Sequence, residues 1–246
     1  MYDKVVSGRL GRGRLGVCRC FGRGFTLIEV LVVAAIISLL MAIILPALGK
    51  VKDQARAAVC MSNMRQIGIA AKVYADDWNQ LIPRGTGGPL WFTAFMPYLS
   101  QHPIDDDYRN VKIYRCPNYP NKSQTVCYVV NGWEFWGSAD ITGHETGEPT
   151  KLSTCTRRMA TIYLADNEYA SWRPIITSAT DDGIELCDVW NSAHLPASEL
   201  ADITFGRRVA QKRHRKGSNC LCLDWHVEYV RTEDMGLDMW RFHIRR

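Results

Sequence analysis

The sequence of 246 residues predicts an α+β fold, in which a long N-terminal α-helix, membrane-spanning in its first half, packs on a mostly antiparallel β-sheet domain. Three observations predict it. Val30 to Leu48 is a run of nineteen residues without a charged side chain. Beyond it, Cys60, Met64, Ile67, Ala71 and Tyr74 recur at spacings of four and three, which marks one apolar face of a helix. Further on, apolar residues come in short runs separated by Gly, Pro, Asn and Asp, the pattern of strands and turns.

The first element is a leader, residues 1–24. It holds six Lys or Arg against a single Asp, a net +5 that equals the formal excess of the whole chain. Taking six from 30 basic residues and one from 25 acidic leaves 24 of each in residues 25–246, so no nucleic-acid partner is expected. The leader reads instead as a topology signal: positive residues stay cytoplasmic, which sends the C-terminal domain out through the inner membrane, into the periplasm or to the cell surface. Lys50, Lys52 and Arg56, just past the apolar run, weaken this asymmetry.

The second element is a helix over residues 25–76, about 75 to 80 Å long at ~1.5 Å per residue. Its transmembrane segment, residues 30–48, covers about 28 Å, the thickness of the hydrocarbon layer. Pro46 removes a backbone donor, so a kink or a loosened turn is expected there. Glu29 stands at the edge of the apolar run. A carboxylate at the bilayer centre costs roughly 2.5 to 3.5 kcal/mol or more and calls for a partner. A secretory signal peptide with a small-residue site at Ala47-Leu48-Gly49, or a plain single-span anchor, accounts for the apolar run but not for Glu29.

Arg23-Gly24-Phe25-Thr26-Leu27-Ile28-Glu29 resembles the processing site of type IV pilins and type II secretion pseudopilins. The resemblance implies cleavage by a prepilin peptidase after Gly24, methylation of the new N-terminal amine on Phe25, and pairing of Glu29 with the amine of a neighbouring subunit during assembly. Unpaired N–H groups and the positive dipole end of a first helical turn favour an anion at Glu29 independently.

The third element, residues 77–246, is an extracytoplasmic globular domain of a length that suits one core. Leu90 to Leu99 reads as a short helix. Strand-like runs appear at Val111 to Tyr114, Thr125 to Val130, Thr161 to Ala165, Arg173 to Ile176, Ser218 to Leu223 and His226 to Val230. Near the C-terminus, His214 is followed after nine residues by Asp224, which resembles the histidine, nine spacers, aspartate-glycine signature of a family of pilin-like proteins of planctomycetes and their relatives. Shorter echoes are Tyr114-Arg115-Cys116-Pro117, Tyr128 with Asn131, and Tyr163-Leu164-Ala165-Asp166. Trp225 departs from that signature. An Asp-Gly type turn needs positive φ at its second position, which tryptophan resists, so a longer or differently shaped turn is expected.

His214, Asp224 and His226 are the candidate metal ligands, weighed against a structural hydrogen bond from His214 to the hairpin. Calcium is considered at Asp105-Asp106-Asp107, at Asp166 with Glu168, and at Asp181-Asp182-Gly183 with Glu185, where solvated loop charge is the competing reading. No other cofactor is expected. Seven cysteines lie beyond Gly24, an odd number that leaves at least one unpaired within the chain; Cys60, on the helix stripe, reads as a small buried hydrophobe. There is no Gly-x-Ser-x-Gly, His-Glu-x-x-His or phosphate-cradling glycine loop, so an enzyme is not expected. Trp133, Phe135 and Trp136 suit either a sheet core or stacking on sugars.

The resulting expectation is a pseudopilin, a fibre subunit of a type II secretion or type IV pilus-like machine that meets prepilin peptidase and other pilin subunits. The alternative is a membrane-tethered or surface-displayed domain that binds polysaccharide and is exported through a pilin-type N-terminus. Binding of a glycan by residues 77–246 distinguishes the two.

Overall fold

The structure, a computed structural model, describes residues 24–137, 139–199 and 206–242. Apart from Gly24, the basic leader lies outside the described residues. The chain divides into two units, residues 1–47 and 48–246. Helix α1 (Leu27–Asp77) begins in the first, and its helical assignment runs through Pro46 without a break. Successive apolar side chains of the first unit, including Leu31, Val32, Val33, Ile36 and Ile37, are all exposed. The helix is long and apolar enough to cross a membrane, and none of its most apolar window is buried.

In the second unit α1 buries Cys60, Met64, Ile67, Gly68, Ala70, Ala71, Tyr74 and Ala75, the stripe that the four-and-three spacing marks. It is followed by β1 (Leu81–Ile82), α2 (Trp91–Ala94), β2 (Tyr128–Asn131), β3 (Trp133–Glu134), β4 (His144–Glu145), β5 (Thr150–Lys151), β6 (Ile162–Asp166), β7 (Asp188–Val189), β8 (Gly217–Cys222) and β9 (Val227–Arg231). The main sheet has the order β7-β2-β6-β8-β9. Its β2–β6, β6–β8 and β8–β9 pairs are antiparallel, and β2–β7 is parallel. The short pairs β1–β5 and β3–β4 are antiparallel.

Both faces of the sheet are covered, so β2, β6 and β8 are buried at every residue. Side chains alternate between two cores, as the period of two demands. Tyr128, Val130, Tyr163 and Leu221 join the core that includes the α1 stripe. Val129, Ile162, Cys220 and Val230 join a second core with Trp133 and Trp240.

Two expected strands do not form. Val111, Ile113 and Tyr114 all enter the same core, which a strand's alternation forbids and the 3₁₀ turn Lys112–Tyr114 permits. Arg173 to Ile176 contains Pro174, and its backbone is satisfied elsewhere: Ile176 N donates to Gln124 Oε1 at 3.0 Å, and Ile176 O accepts from Thr125 N at 3.2 Å. Leu90 to Leu99 divides into α2 and a 3₁₀ turn, Met96–Tyr98, with Pro97 in its first positions.

Close approach decides Gly68. A Cβ there would meet Leu221 Cδ1 at 2.9 Å and the Trp225 carbonyl oxygen at 3.3 Å. Gly68→Val is therefore expected to lower unfolding stability by about 1 to 3 kcal/mol through overpacking, read as a reduced denaturant midpoint.

Candidate functional site

The N-terminal site is built by Thr26 and Glu29. Glu29 Oε2 accepts from Thr26 N and Thr26 Oγ1, both at 2.8 Å, while Glu29 N donates to Thr26 Oγ1 at 3.2 Å. This reciprocal box satisfies donors that a first helical turn leaves open. Gly24 and Phe25 lie just ahead of α1, separated from it by Thr26, and Phe25 is exposed. Glu29 is thus held on its own helix, one turn from Phe25, amid exposed Leu27, Ile28 and Val30.

His214, Asp224 and His226 do not converge. His214 precedes β8 and Asp224 follows it, and six residues of extended chain place them about 20 Å apart along the strand. Asp224 turns back to His226, with Oδ1 2.5 Å from Nδ1. The proposed hydrogen bond from the His214 side chain to the hairpin is replaced by contacts with Asp166, Cys116 and Asn118, although the His214 backbone N does donate to Gly217 O at 3.1 Å.

The turn after β8 has three residues, Leu223, Asp224 and Trp225, closed by Trp225 N to Cys222 O at 2.9 Å and Cys222 N to His226 O at 2.9 Å. It is longer than an Asp-Gly turn. Yet Trp225 itself takes the positive φ, at 73°, contrary to the expectation that tryptophan avoids it. Packing against Tyr163, with ring centroids 5.9 Å apart, offsets a strain of about 1 to 3 kcal/mol.

His214 belongs to a second constellation. Cys60 on α1, Cys116 after the turn Lys112–Tyr114, Asp166 at the end of β6 and His214 ahead of β8 each direct one donor atom inward. These four atoms lie within 4.8 Å of one another, and all four residues are buried. Cys60 Sγ donates to Asp166 Oδ1 at 3.2 Å and lies 3.5 Å from Tyr128 Oη. His214 Nε2 lies 3.4 Å from both Asp166 Oδ2 and Cys116 Sγ. Burial disfavours the His214 imidazolium, but Asp166 and Cys116 outweigh it and lift its pKa to about 9. The Cys60 thiol and His214 lower the Cys116 pKa to about 7 against the effect of burial, whereas burial drives the Cys60 thiol well up.

Cys60 is thus more than a small hydrophobe, and sequence reading did not connect it with Cys116, Asp166 and His214. Those last three stand in segments that resemble the pilin-like family, but nothing in their linear spacing joins them. Among the described residues a smaller group, Cys222, His226 and Glu228, also gathers possible ligands. Several carboxylates of the acidic loops are engaged by protein donors. Asp107 pairs with Arg109, Asp106 accepts from Ala179 N, Asp181 accepts from Thr177 and Ser178, and Glu168 pairs with Arg207. Trp133 is buried and Phe135 stacks on it, whereas Trp136 is exposed and stacks on His144.

A family model described as a prokaryotic N-terminal methylation motif matches residues 22–45. A second, described as a protein of unknown function, DUF1559, matches residues 49–184. No curated protein and no solved structure matches the chain.

Proposed function

The chain belongs to the DUF1559 family of pilin-like proteins, and from that premise we propose that it is a structural, non-catalytic subunit of a type II secretion or type IV pilus-like fibre, cut by prepilin peptidase between Gly24 and Phe25. One observation carries this reading. The first part of α1 exposes apolar side chains at successive positions, so around its whole circumference, and sets an acidic group, Glu29, one turn from the cleavage junction. An anchor alone explains the first feature. The second serves assembly.

Before assembly this segment rests in the inner membrane as a single span, with the sheet domain on the outer side. After assembly the same surface is covered by the helices of other subunits. Cleavage creates an amine on Phe25. In a water-poor helix bundle a neighbour's amine displaces the Thr26 donors from Glu29, and the two charges neutralise one another where neither can be hydrated. Nucleic acid plays no part in this scheme.

N-terminal peptide mass analysis of the protein from its native membrane tests the reading. The expected mature chain begins at Phe25 and carries a methyl group on its amine. A chain beginning at Lys50, or one that retains the leader, overturns it.

A further inference from the structure

The geometry points to a structural zinc site formed by Cys60, Cys116, Asp166 and His214, which fastens the C-terminal half of α1 to the main sheet. Two thiolates, an imidazole and a carboxylate are a donor set of borderline softness that suits zinc, whereas calcium and magnesium take oxygen ligands. The spacing fits as well. For Zn–S of ~2.3 Å and Zn–N or Zn–O of ~2.0 to 2.1 Å, a tetrahedron has S···N and S···O edges of about 3.5 Å and an N···O edge of about 3.3 Å. The corresponding separations are 3.4 Å from Cys116 Sγ to His214 Nε2, 3.2 Å from Cys60 Sγ to Asp166 Oδ1, and 3.4 Å from His214 Nε2 to Asp166 Oδ2. Asp166 meets Cys60 and His214 through different oxygens, so a turn of its carboxylate is needed to present one oxygen to the centre, and the four donor atoms, all within 4.8 Å of one another, lie close enough for a tetrahedron to form.

Outer contacts orient the ligands. Asp166 Oδ2 accepts from Asn219 N at 2.7 Å, which fixes the carboxylate with Oδ1 toward Cys60 and Oδ2 toward His214. Tyr128 Oη lies 3.5 Å from Cys60 Sγ and supports a thiolate by donating to it. The Asn118 amide is 3.3 Å from His214 Nδ1; with its carbonyl oxygen turned to that nitrogen it accepts Nδ1–H and leaves Nε2 as a bare lone pair. A cleft of about 260 Å³ lined in part by Asn118, His214 and Asn219 gives access from solvent.

Loading forms four metal–ligand bonds and releases to water the thiol protons of Cys60 and Cys116 together with the Nε2 proton that His214 carries when the site is empty, with no change of oxidation state. Two thiolates, one carboxylate and a neutral imidazole around Zn²⁺ leave one net negative charge. The ligands come from four separate stretches of chain, so the site exists only in the folded domain and binding free energy adds to folding. Nothing in this inference depends on fibre assembly.

The test uses the full chain in detergent, purified from membranes without chelators and equilibrated with buffered Zn²⁺. Elemental analysis should find one zinc per chain, and Co²⁺ in its place should give the visible bands of a tetrahedral thiolate site. Cys116→Ser and His214→Gln should each lose the metal, while Cys222→Ser, in the smaller neighbouring group, should keep it. Wild-type protein that takes up neither ion overturns the proposal. So does an intact mass lighter by two hydrogens with Cys60 and Cys116 in one disulfide-linked peptide, or loss of zinc from Cys222→Ser alone. The wild-type measurements stand even if a variant fails to fold.

Discussion

Glu29→Val is expected to abolish incorporation into fibres while leaving membrane insertion intact. Insertion should not suffer, because the change removes a charge at the edge of the apolar layer and extends that layer by one apolar residue. Assembly should suffer for the same reason reversed. The Phe25 amine of an adjacent subunit would enter the bundle without a counter-charge, and breaking a buried pair by removing one partner costs about 3 to 5 kcal/mol. At ~1.4 kcal/mol per tenfold change, that is a loss of two orders of magnitude or more in association. The helix itself should persist, since Thr26 to Glu29 contributes a single capping box worth about 1 kcal/mol. Fractionation of sheared fibres and membranes reads both quantities. Wild-type levels of assembled Glu29→Val would remove Glu29 from the interface. Glu29→Gln separates charge from shape, because it keeps the capping geometry and lacks the anion.

Trp133→Ala is expected to destabilise the domain by about 3 to 5 kcal/mol, the cost of a large cavity in a well-packed core. Trp133 is 0% exposed, stacks on Phe135 and donates from Nε1 to Thr142 O at 3.0 Å. For a domain of this size each kcal/mol moves the melting temperature by about 2 to 4 °C, so a fall of roughly 6 to 20 °C should appear in near-UV circular dichroism. Trp136→Ala provides the comparison. Trp136 is 80% exposed, and its loss should stay within about 0.5 kcal/mol. Equal effects from the two substitutions would contradict the assignment of Trp133 to the core. The pair of variants also bears on polysaccharide binding, since a sugar site at this cluster would have to use Trp136 and not Trp133.

The stripe at Cys60, Met64, Ile67, Ala71 and Tyr74 was legible because helical periodicity is a local property of the chain. The same holds for β2, β6, β8 and β9, whose apolar runs are intrinsically strand-like. β7 was not legible. It has two residues and owes its existence to the parallel pairing of Val130 with Asp188 and Asn131 with Val189. Trp225 failed for a related reason: local preference argues against positive φ, and contact with Tyr163 supplies the compensation.

What the sequence by itself determined is the N-terminal half of this protein's character. The junction Gly24-Phe25, the acidic residue four positions further, the apolar run and the basic leader are contiguous, so their chemistry can be read without knowing how the chain turns. Only the tertiary structure decided what His214 does. The motif that made it conspicuous paired it with Asp224 through linear spacing, but β8 carries those two residues to opposite ends of an extended strand. Folding instead brings His214 to Asp166, Cys116 and Cys60, the last 154 positions away by the difference of their residue numbers, because burying one face of α1 against the sheet forces these polar groups to meet where water cannot satisfy them.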